Sequence, residues 1–376
     1  MSNATNISFA CQTAIMRSTT LLPLHSGRAP RWLFSRMVML GEKISQAIID
    51  EYGPDELVAR LADSNWFQAL ACALGYDWHS SGVTTVTMGA LKMALKESPD
   101  IAIAGGKGKA GTNTPIDIEA GAERLSMLGA AQKLTEYSRL SAKVDAAMVY
   151  DNVSIYQHSF IFSKSSKWTV VQQGMEQNGT MAVRFQWFSD LVENDDFARE
   201  PHSGMGSSTA KSKETMDLTY DGNTWARRGL VETLEELHSA PAGVMSVVHA
   251  YPKRHEIMPA LDITKRGAEA LKKAYELEPK DYRELLLVKG VGRKTLKSLA
   301  LVASLIYDKE LAMRDPVLYA YNVGGKDGIP YKISREHYDK LIESLSLTID
   351  RANIESEERR KALKRLSDSI AQKSLH

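Results

Sequence analysis

The chain has 376 residues, of which 43% are hydrophobic and 25% are charged, as in water-soluble globular proteins with more than one core. Its 47 Lys and Arg residues almost balance its 46 Asp and Glu residues, so a nucleic-acid partner would need the basic residues gathered on one face. Two cysteines are too few for a disulfide framework or a zinc site. No apolar run approaches the ~20 residues of a membrane span, so we expect a cytoplasmic protein without membrane contact.

The N-terminal part of the sequence is predicted to be mainly helical. Polar Ser, Asn and Thr residues dominate residues 1–20, and we expect this leader to be disordered. Apolar residues then recur at helical spacing, beginning near Arg31, with Gly53-Pro54 as a stop signal. We interpret residues 21–150 as a helical N-terminal domain.

A short apolar segment, Ile101 to Ala104, is predicted to be a buried strand and runs into a glycine-rich turn with lysines. Such a turn can direct several backbone N–H groups at a phosphate. Its spacing does not fit the P-loop motif, so a phosphate contact and a lysine-tipped surface loop both remain open. The candidates for a phosphate contact here are Gly105, Gly106, Lys107 and Lys109.

After Asp151 the apolar period changes from helical to alternating. Ser154 to Ser163, Lys167 to Met175 and Met181 to Phe188 are predicted as strands of an antiparallel meander. The following segment, Asp195 to Asn223, is rich in Gly, Ser, Lys and Asp, which is typical of a long surface loop. We assign residues 151–224 to a sheet and loop packed on the helical domain.

Helical periodicity returns in residues 225–376, which we expect to form a C-terminal helical domain. Within it an apolar run ends in Gly290-Val291-Gly292, and a second amphipathic helix follows at once. Glycines permit a tight bend there, and the positive end of the second helix favours an anion. A later glycine-lysine turn adds Gly325 and Lys326 as further phosphate candidates.

The segment Gly290, Val291, Gly292, Arg293, Lys294 and Thr295 resembles the helix-hairpin-helix motif. The resemblance implies sequence-independent binding of DNA phosphates by these six residues, as in repair glycosylases, nucleases, ligases and polymerases. An ordinary turn between two helices is the alternative. The fold class we predict is α+β: a mainly helical N-terminal domain with an antiparallel meander, and a helical C-terminal domain containing this motif.

Most of the chain, from about Leu21 to Ile342, also resembles an uncharacterised family of archaeal and thermophile proteins. The resemblance is carried by blocks that include Asp77-Trp78-His79-Ser80-Ser81-Gly82 and Gln172-Gln173-Gly174-Met175. It implies a shared architecture and no established activity. His-Ser-Gly recurs at His25 and His202, and with one insertion at His79, so these loops could line one pocket.

The leading hypothesis for chemistry is DNA strand cleavage in repair, by a nuclease. Phosphodiester hydrolysis uses carboxylates to hold a divalent cation such as Mg²⁺ or Mn²⁺, with polar groups that orient water. Asp145 and Asp151 are the candidate metal ligands. The candidate catalytic residues are Asp145, Lys143, Asp151, His158, Gln173, His79 and Lys107. The alternative is a structural role, in which these side chains only form hydrogen bonds at the sheet edges and pair with neighbouring charges.

Two other functions remain open. Lys294 and Asp315 fall where the helix-hairpin-helix glycosylases place a nucleophilic lysine and a charge-stabilising aspartate, which implies a DNA glycosylase or AP lyase. A nucleophilic lysine must be desolvated to lose its proton near neutral pH. The third possibility is a non-catalytic DNA-binding scaffold, in which the hairpin alone accounts for the function.

Overall fold

A computed structural model describes eight stretches of the chain. They are residues 31–74, 82–149, 153–176, 182–192, 196–206, 217–239, 265–306 and 311–312. The helices in these stretches are α1 (Arg31–Tyr52), α2 (Pro54–Ala62), α3 (Ser64–Ala73), α4 (Gly82–Ala94), α5 (Lys109–Thr112), α6 (Thr114–Arg124), α7 (Leu128–Ala147), α8 (Thr224–Ser239), α9 (Lys265–Glu276), α10 (Tyr282–Leu287) and α11 (Arg293–Ile306). Within the described ranges, no helix combines the length and the apolar character that a membrane span needs.

The strands form one antiparallel sheet, in which each strand pairs with the next along the chain. They are β1 (Ile101–Lys107), β2 (Val153–Ser163), β3 (Trp168–Glu176), β4 (Ala182–Phe188) and β5 (His202–Gly206). The α+β class and the predicted meander are therefore confirmed. The predicted strand at Ile101 is also present, and it joins the edge of the meander through β2.

Both faces of the sheet are covered by helices, which explains why its strands are almost entirely buried. Side chains on successive residues of a strand point to opposite faces. Ile103, Ile161 and Val171 accordingly pack with α1 to α4, whereas Ala102, Phe160 and Val170 pack with α6 and α7. The sheet is thus the middle layer of three, and α7 lies across the face opposite α1.

The apolar core around α7 combines residues from the three parts of the chain that the sequence predicts as separate units, residues 21–150, 151–224 and 225–376. Ala102, Val144, Phe160, Leu230 and Leu299 belong to this one cluster. Helices α8 to α11 therefore share a core with α7 and with the sheet. The expected boundaries at residues 150 and 224 do not separate apolar cores.

The interpretation of residues 195–223 as a long surface loop is wrong for part of that segment. His202 to Gly206 form the edge strand β5, and both His202 and Met205 are buried. Asp217 forms a β-bridge with Val149 and is buried as well. The sequence did not predict this strand because its residues are small and polar, as in a loop. They are buried because their side chains form hydrogen bonds with buried groups of the neighbouring layers.

Candidate functional site

A buried polar network lies between α7 and the adjacent face of the sheet. At its centre is Asp145 of α7, which is fully buried. Its Oδ1 accepts a hydrogen bond of 2.5 Å from His202 Nε2, and its Oδ2 accepts from Trp187 Nε1 at 2.9 Å and from Gln172 Nε2. Three donors on three strands therefore converge on one carboxylate, as a buried charge requires. We call Ser138, Asp145, His158, Gln172, Trp187 and His202 the α7–sheet network.

The amide of Gln172 has its orientation fixed by acceptors on α7. Its Nε2 donates to Asp145 and, at 3.2 Å, to the Ser141 carbonyl oxygen. Its Oε1 therefore faces His158 Nδ1 at 2.8 Å. Because an amide oxygen can only accept, His158 carries its proton on Nδ1 when the ring is neutral.

The second ring nitrogen of His158 faces a serine. His158 Nε2 lies 2.8 Å from Ser138 Oγ, and with the proton on Nδ1 this nitrogen accepts the serine O–H. Burial lowers the pKa of His158 below its usual 6.5, although the bond to Gln172 and the charge of Asp145 oppose that shift. The imidazole is consequently neutral at pH 7 and is able to accept a proton from Ser138.

The structure separates the residues that the nuclease hypothesis groups together. Asp145 and His158 meet through Gln172. Lys143 instead donates to the Val291 carbonyl oxygen, and Gln173, one residue after Gln172 on β3, donates to the Tyr156 hydroxyl. These residues do not form one cluster.

Other residues of that hypothesis lie elsewhere. Lys107 is exposed at the end of β1, where its Nζ lies 5.7 Å from the centre of the Tyr156 ring. His79 and Asp151 lie outside the described residues, and so do His25, Asp315, Gly325 and Lys326. The suggested convergence of the His-Ser-Gly loops also involves residues outside the described part.

The α7–sheet network does not fit a divalent cation. Both carboxylate oxygens of Asp145 already accept hydrogen bonds, and neither faces solvent. Among the residues that the structure describes, no three His, Cys, Asp or Glu side chains are grouped as a metal site would need. The surroundings of Asp145 thus disfavour its expected role as a metal ligand.

The glycine-framed bend between α10 and α11 lies at the surface. Its φ angle at Gly290 is +102°, a conformation that glycine adopts without strain. Gly290 is exposed, whereas Val291 is only 1% exposed and packs into the core around α7. Val291 thus anchors the bend, and the flanking Lys289 and Lys294 are exposed.

Two basic side chains hold this bend against α7. Lys143 Nζ donates to the Val291 carbonyl oxygen at 2.9 Å, and burial lowers the pKa of Lys143. The guanidinium of Arg293 donates to the carbonyl oxygens of Ala146, at 3.1 Å, and of Val153. Arg293 therefore faces the protein and fixes the bend, and Thr295 is buried. Neither presents its side chain outward as a phosphate ligand would.

The glycine-lysine turn after β1 has much of its hydrogen-bonding capacity occupied. The N–H of Gly105 donates to Asp117 Oδ2 at 2.9 Å, and that of Gly108 donates to the Tyr156 carbonyl oxygen at 2.9 Å. Lys92 also bonds the Gly105 carbonyl oxygen and Asp117. A phosphate contact here would rely on the exposed side chains of Lys107 and Lys109.

The sequence indicated Asp145, His158 and Gln172 as polar candidates and His202 as a possible pocket-lining loop residue, but it did not join them with Ser138 and Trp187 into one network. Ser138 was hidden because a serine inside a helix carries no local signal. His202 and Trp187 come from strands whose register with α7 is a property of the tertiary structure. The spacing of Ser138 and Asp145, seven residues or about two helical turns apart, does place both on one face of α7.

The chain matches the model of a family described as "Protein of unknown function (DUF763)" over residues 18–333. No curated protein matches the chain, and no solved structure matches it. The family match extends over more than half of the chain and includes α7, the sheet and the bend at Gly290. On this ground the chain belongs to the DUF763 family.

Proposed function

We propose that this protein binds the phosphate backbone of DNA, without reading its sequence, through the exposed bend from Lys289 to Lys294, in a DNA-processing role of the repair type. The observation that carries the proposal is the glycine at position 292. Apart from its two chain neighbours, no described residue has a heavy atom within 4 Å of where a Cβ on Gly292 would be, and the φ of Gly292 is not positive. Nothing in the described part of the chain therefore requires glycine at position 292, whereas the close approach of a ligand to the backbone would.

The surroundings of Gly292 suit an anion. It directly precedes α11, so the first N–H groups of that helix and its positive dipole end lie beside it. Lys289 and Lys294 are exposed on either side. The bend is also preformed, because Val291, Lys143 and Arg293 fix it to the body of the protein. A preformed site binds with a smaller loss of conformational entropy than a flexible loop.

The test is to replace Gly292 by Leu and to measure binding to fluorescein-labelled duplexes of two unrelated sequences by anisotropy. Gly292→Leu should weaken binding to both duplexes equally, by about ten-fold, which corresponds to one charge-assisted hydrogen bond of about 1.5 kcal/mol. Stability should change by less than about 1 kcal/mol, since the position begins a helix and is open. Gly129→Leu is the matched control. Gly129 also lies near the start of a helix, α7, and a Cβ added to it would likewise meet no described residue within 4 Å other than its chain neighbours.

Salt dependence gives an independent readout of the same proposal. Replacing Lys289 or Lys294 by Ala should each reduce the slope of log K against log salt by about 1, the value for one lost phosphate contact. Lys96→Ala, which removes an exposed lysine after α4, should leave the slope unchanged. Undiminished binding by Gly292→Leu together with an unchanged slope in both lysine variants would exclude the bend as the DNA site.

The glycosylase alternative gains no support from the geometry at Lys294. That lysine is exposed at the start of α11, so it lacks the desolvation that would favour a neutral nucleophilic amine. The observations at the bend favour DNA binding. A DNA-processing enzyme and a non-catalytic repair scaffold would both bind DNA in this way. Incubation of the full chain with abasic and plain duplexes, with Mg²⁺ or with EDTA, separates these two by the products formed.

A further inference from the structure

We propose that Ser138 is a nucleophile activated by His158, and that the α7–sheet network is a site for hydrolysis of small, uncharged carboxylic esters. This activity is separate from the proposed binding of DNA. Ser138 Oγ and His158 Nε2 are 2.8 Å apart, the separation at which a histidine acts as general base on a serine. Gln172 supplies the third group, which orients the imidazole from the other side.

The order of hydrogen bonds in the network matches what a general base needs. Asp145 and the Ser141 carbonyl oxygen hold the Gln172 amide with its oxygen toward His158, and that oxygen keeps the ring proton on Nδ1. The lone pair of Nε2 is thereby directed at Ser138. His202 and Trp187 hold Asp145 in turn, so every group behind the serine has one orientation.

The charge around Ser138 selects the class of substrate. The groups that the network places next to the serine and histidine are a neutral amide and, beyond it, the buried carboxylate of Asp145. Among the described residues, none of the hydrogen bonds that join the network involves a Lys or Arg side chain. A phosphodiester would meet a negative charge there without a compensating cation. An uncharged ester carbonyl avoids that repulsion.

The space available selects a small substrate. Ser138 is 4% exposed and His158 is 7% exposed. Helix α5 packs against the backbone of His158, since a Cβ on Gly111 would lie 3.9 Å from the backbone nitrogen and the Cβ of that residue. With both side chains so little exposed, a substrate reaches Ser138 only if neighbouring residues move, and a bulky acyl group or a DNA strand would not reach the serine.

The reaction is a two-step acyl transfer to water. Ser138 Oγ bonds to the carbonyl carbon while its proton passes to His158 Nε2. The bond between that carbon and the alkoxy oxygen then breaks, and the alcohol leaves with the proton from His158. Water attacks the acyl-serine and gives its proton to His158, which returns a proton to Ser138 Oγ as the acid is released. Ester and water thus yield acid and alcohol.

The experiment uses the full chain and diisopropyl fluorophosphate, a small neutral probe. Attack by Ser138 Oγ would break the phosphorus–fluorine bond, release fluoride and leave a diisopropylphosphoryl ester on Oγ, while the serine proton passes to His158 and from there to water. Intact-mass spectrometry followed by peptide mapping should locate one adduct on Ser138. The rate of labelling should rise with pH and reach half its maximum below pH 6.5, because burial lowers the pKa of His158.

Two variants and a control make the result decisive. Ser138→Ala should lose the adduct completely, and His158→Asn should slow labelling by at least about 100-fold, the usual contribution of a general base. Ser45→Ala removes another buried serine, in α1, and should label as the wild type does. Absence of an adduct in the folded wild type, an adduct at another residue, or an unchanged rate in His158→Asn would each overturn the proposal. The adduct mapped to Ser138 in the folded wild type supports the proposal without any variant, and the slower labelling of His158→Asn counts only when circular dichroism shows that this variant is folded.

Discussion

Replacing Asp145 by Asn should destabilise the protein strongly, because this carboxylate is the common acceptor of the α7–sheet network. The charge is fully buried and accepts from His202, Trp187 and Gln172. An amide has one oxygen and one NH₂ group, so either the NH₂ group would face one of these donors or His202 would have to move its proton from Nε2 to Nδ1. Each buried donor left without an acceptor costs about 1–3 kcal/mol, and breaking a buried charged network costs about 3–5 kcal/mol. We expect a loss of about 3–5 kcal/mol.

The assay is urea unfolding of the full chain, followed by tryptophan fluorescence and by circular dichroism. Trp187 donates to Asp145, so its emission should also report loss of the network. Asp190→Asn is the matched control, since it removes one carboxylate of a half-exposed pair with Lys167 and should cost less than about 1 kcal/mol. A free energy of unfolding for Asp145→Asn within about 1 kcal/mol of the wild type would show that the hydrogen bonds to Asp145 do not stabilise the fold to this extent.

Two further predictions concern the same sheet. Burial holds the pKa of His158 in the folded protein below 6.5. The contribution of the neutral ring to the free energy of unfolding is therefore complete above pH 6.5, and it is lost as the pH falls through the pKa of the folded state. Urea midpoints should therefore decline less steeply below pH 6.5 in His158→Asn than in the wild type, and equal slopes would contradict the shift. Gly174→Ala places a Cβ 1.9 Å from the Val153 side chain and should cost about 1–3 kcal/mol. A second change, Val153→Ala, should recover part of that loss, and thermal unfolding of both variants measures it.

The strands of the meander could be predicted because local patterns reflect which residues are buried. Alternation predicted β2, β3 and β4 to within a few residues, since a strand must present opposite faces to its two neighbouring layers. β5 could not be predicted in this way. His202 and Gly204 look like loop residues, and their burial depends on Asp145 and on Ser64, which touch them from other layers.

The candidate sites show the same division. The bend at Gly290 could be identified from the sequence, because a positive φ and a following amphipathic helix are local requirements. The inward direction of Arg293 could not, since its acceptors belong to Ala146 and Val153. The direction of such a side chain is set by partners that are distant in the sequence, and the spacing of residues along the chain does not reveal them.

The amino-acid sequence by itself determined the α+β class, the meander and the bend, because periodic burial and glycine conformation act within a few residues along the chain. Only the tertiary structure decided that Asp145 and His158 belong to one buried network while Lys143 belongs to the bend. The physical reason is that two side chains a few positions apart on α7 can face different layers, and a charge or hydrogen bond is satisfied by whatever the fold brings to that face.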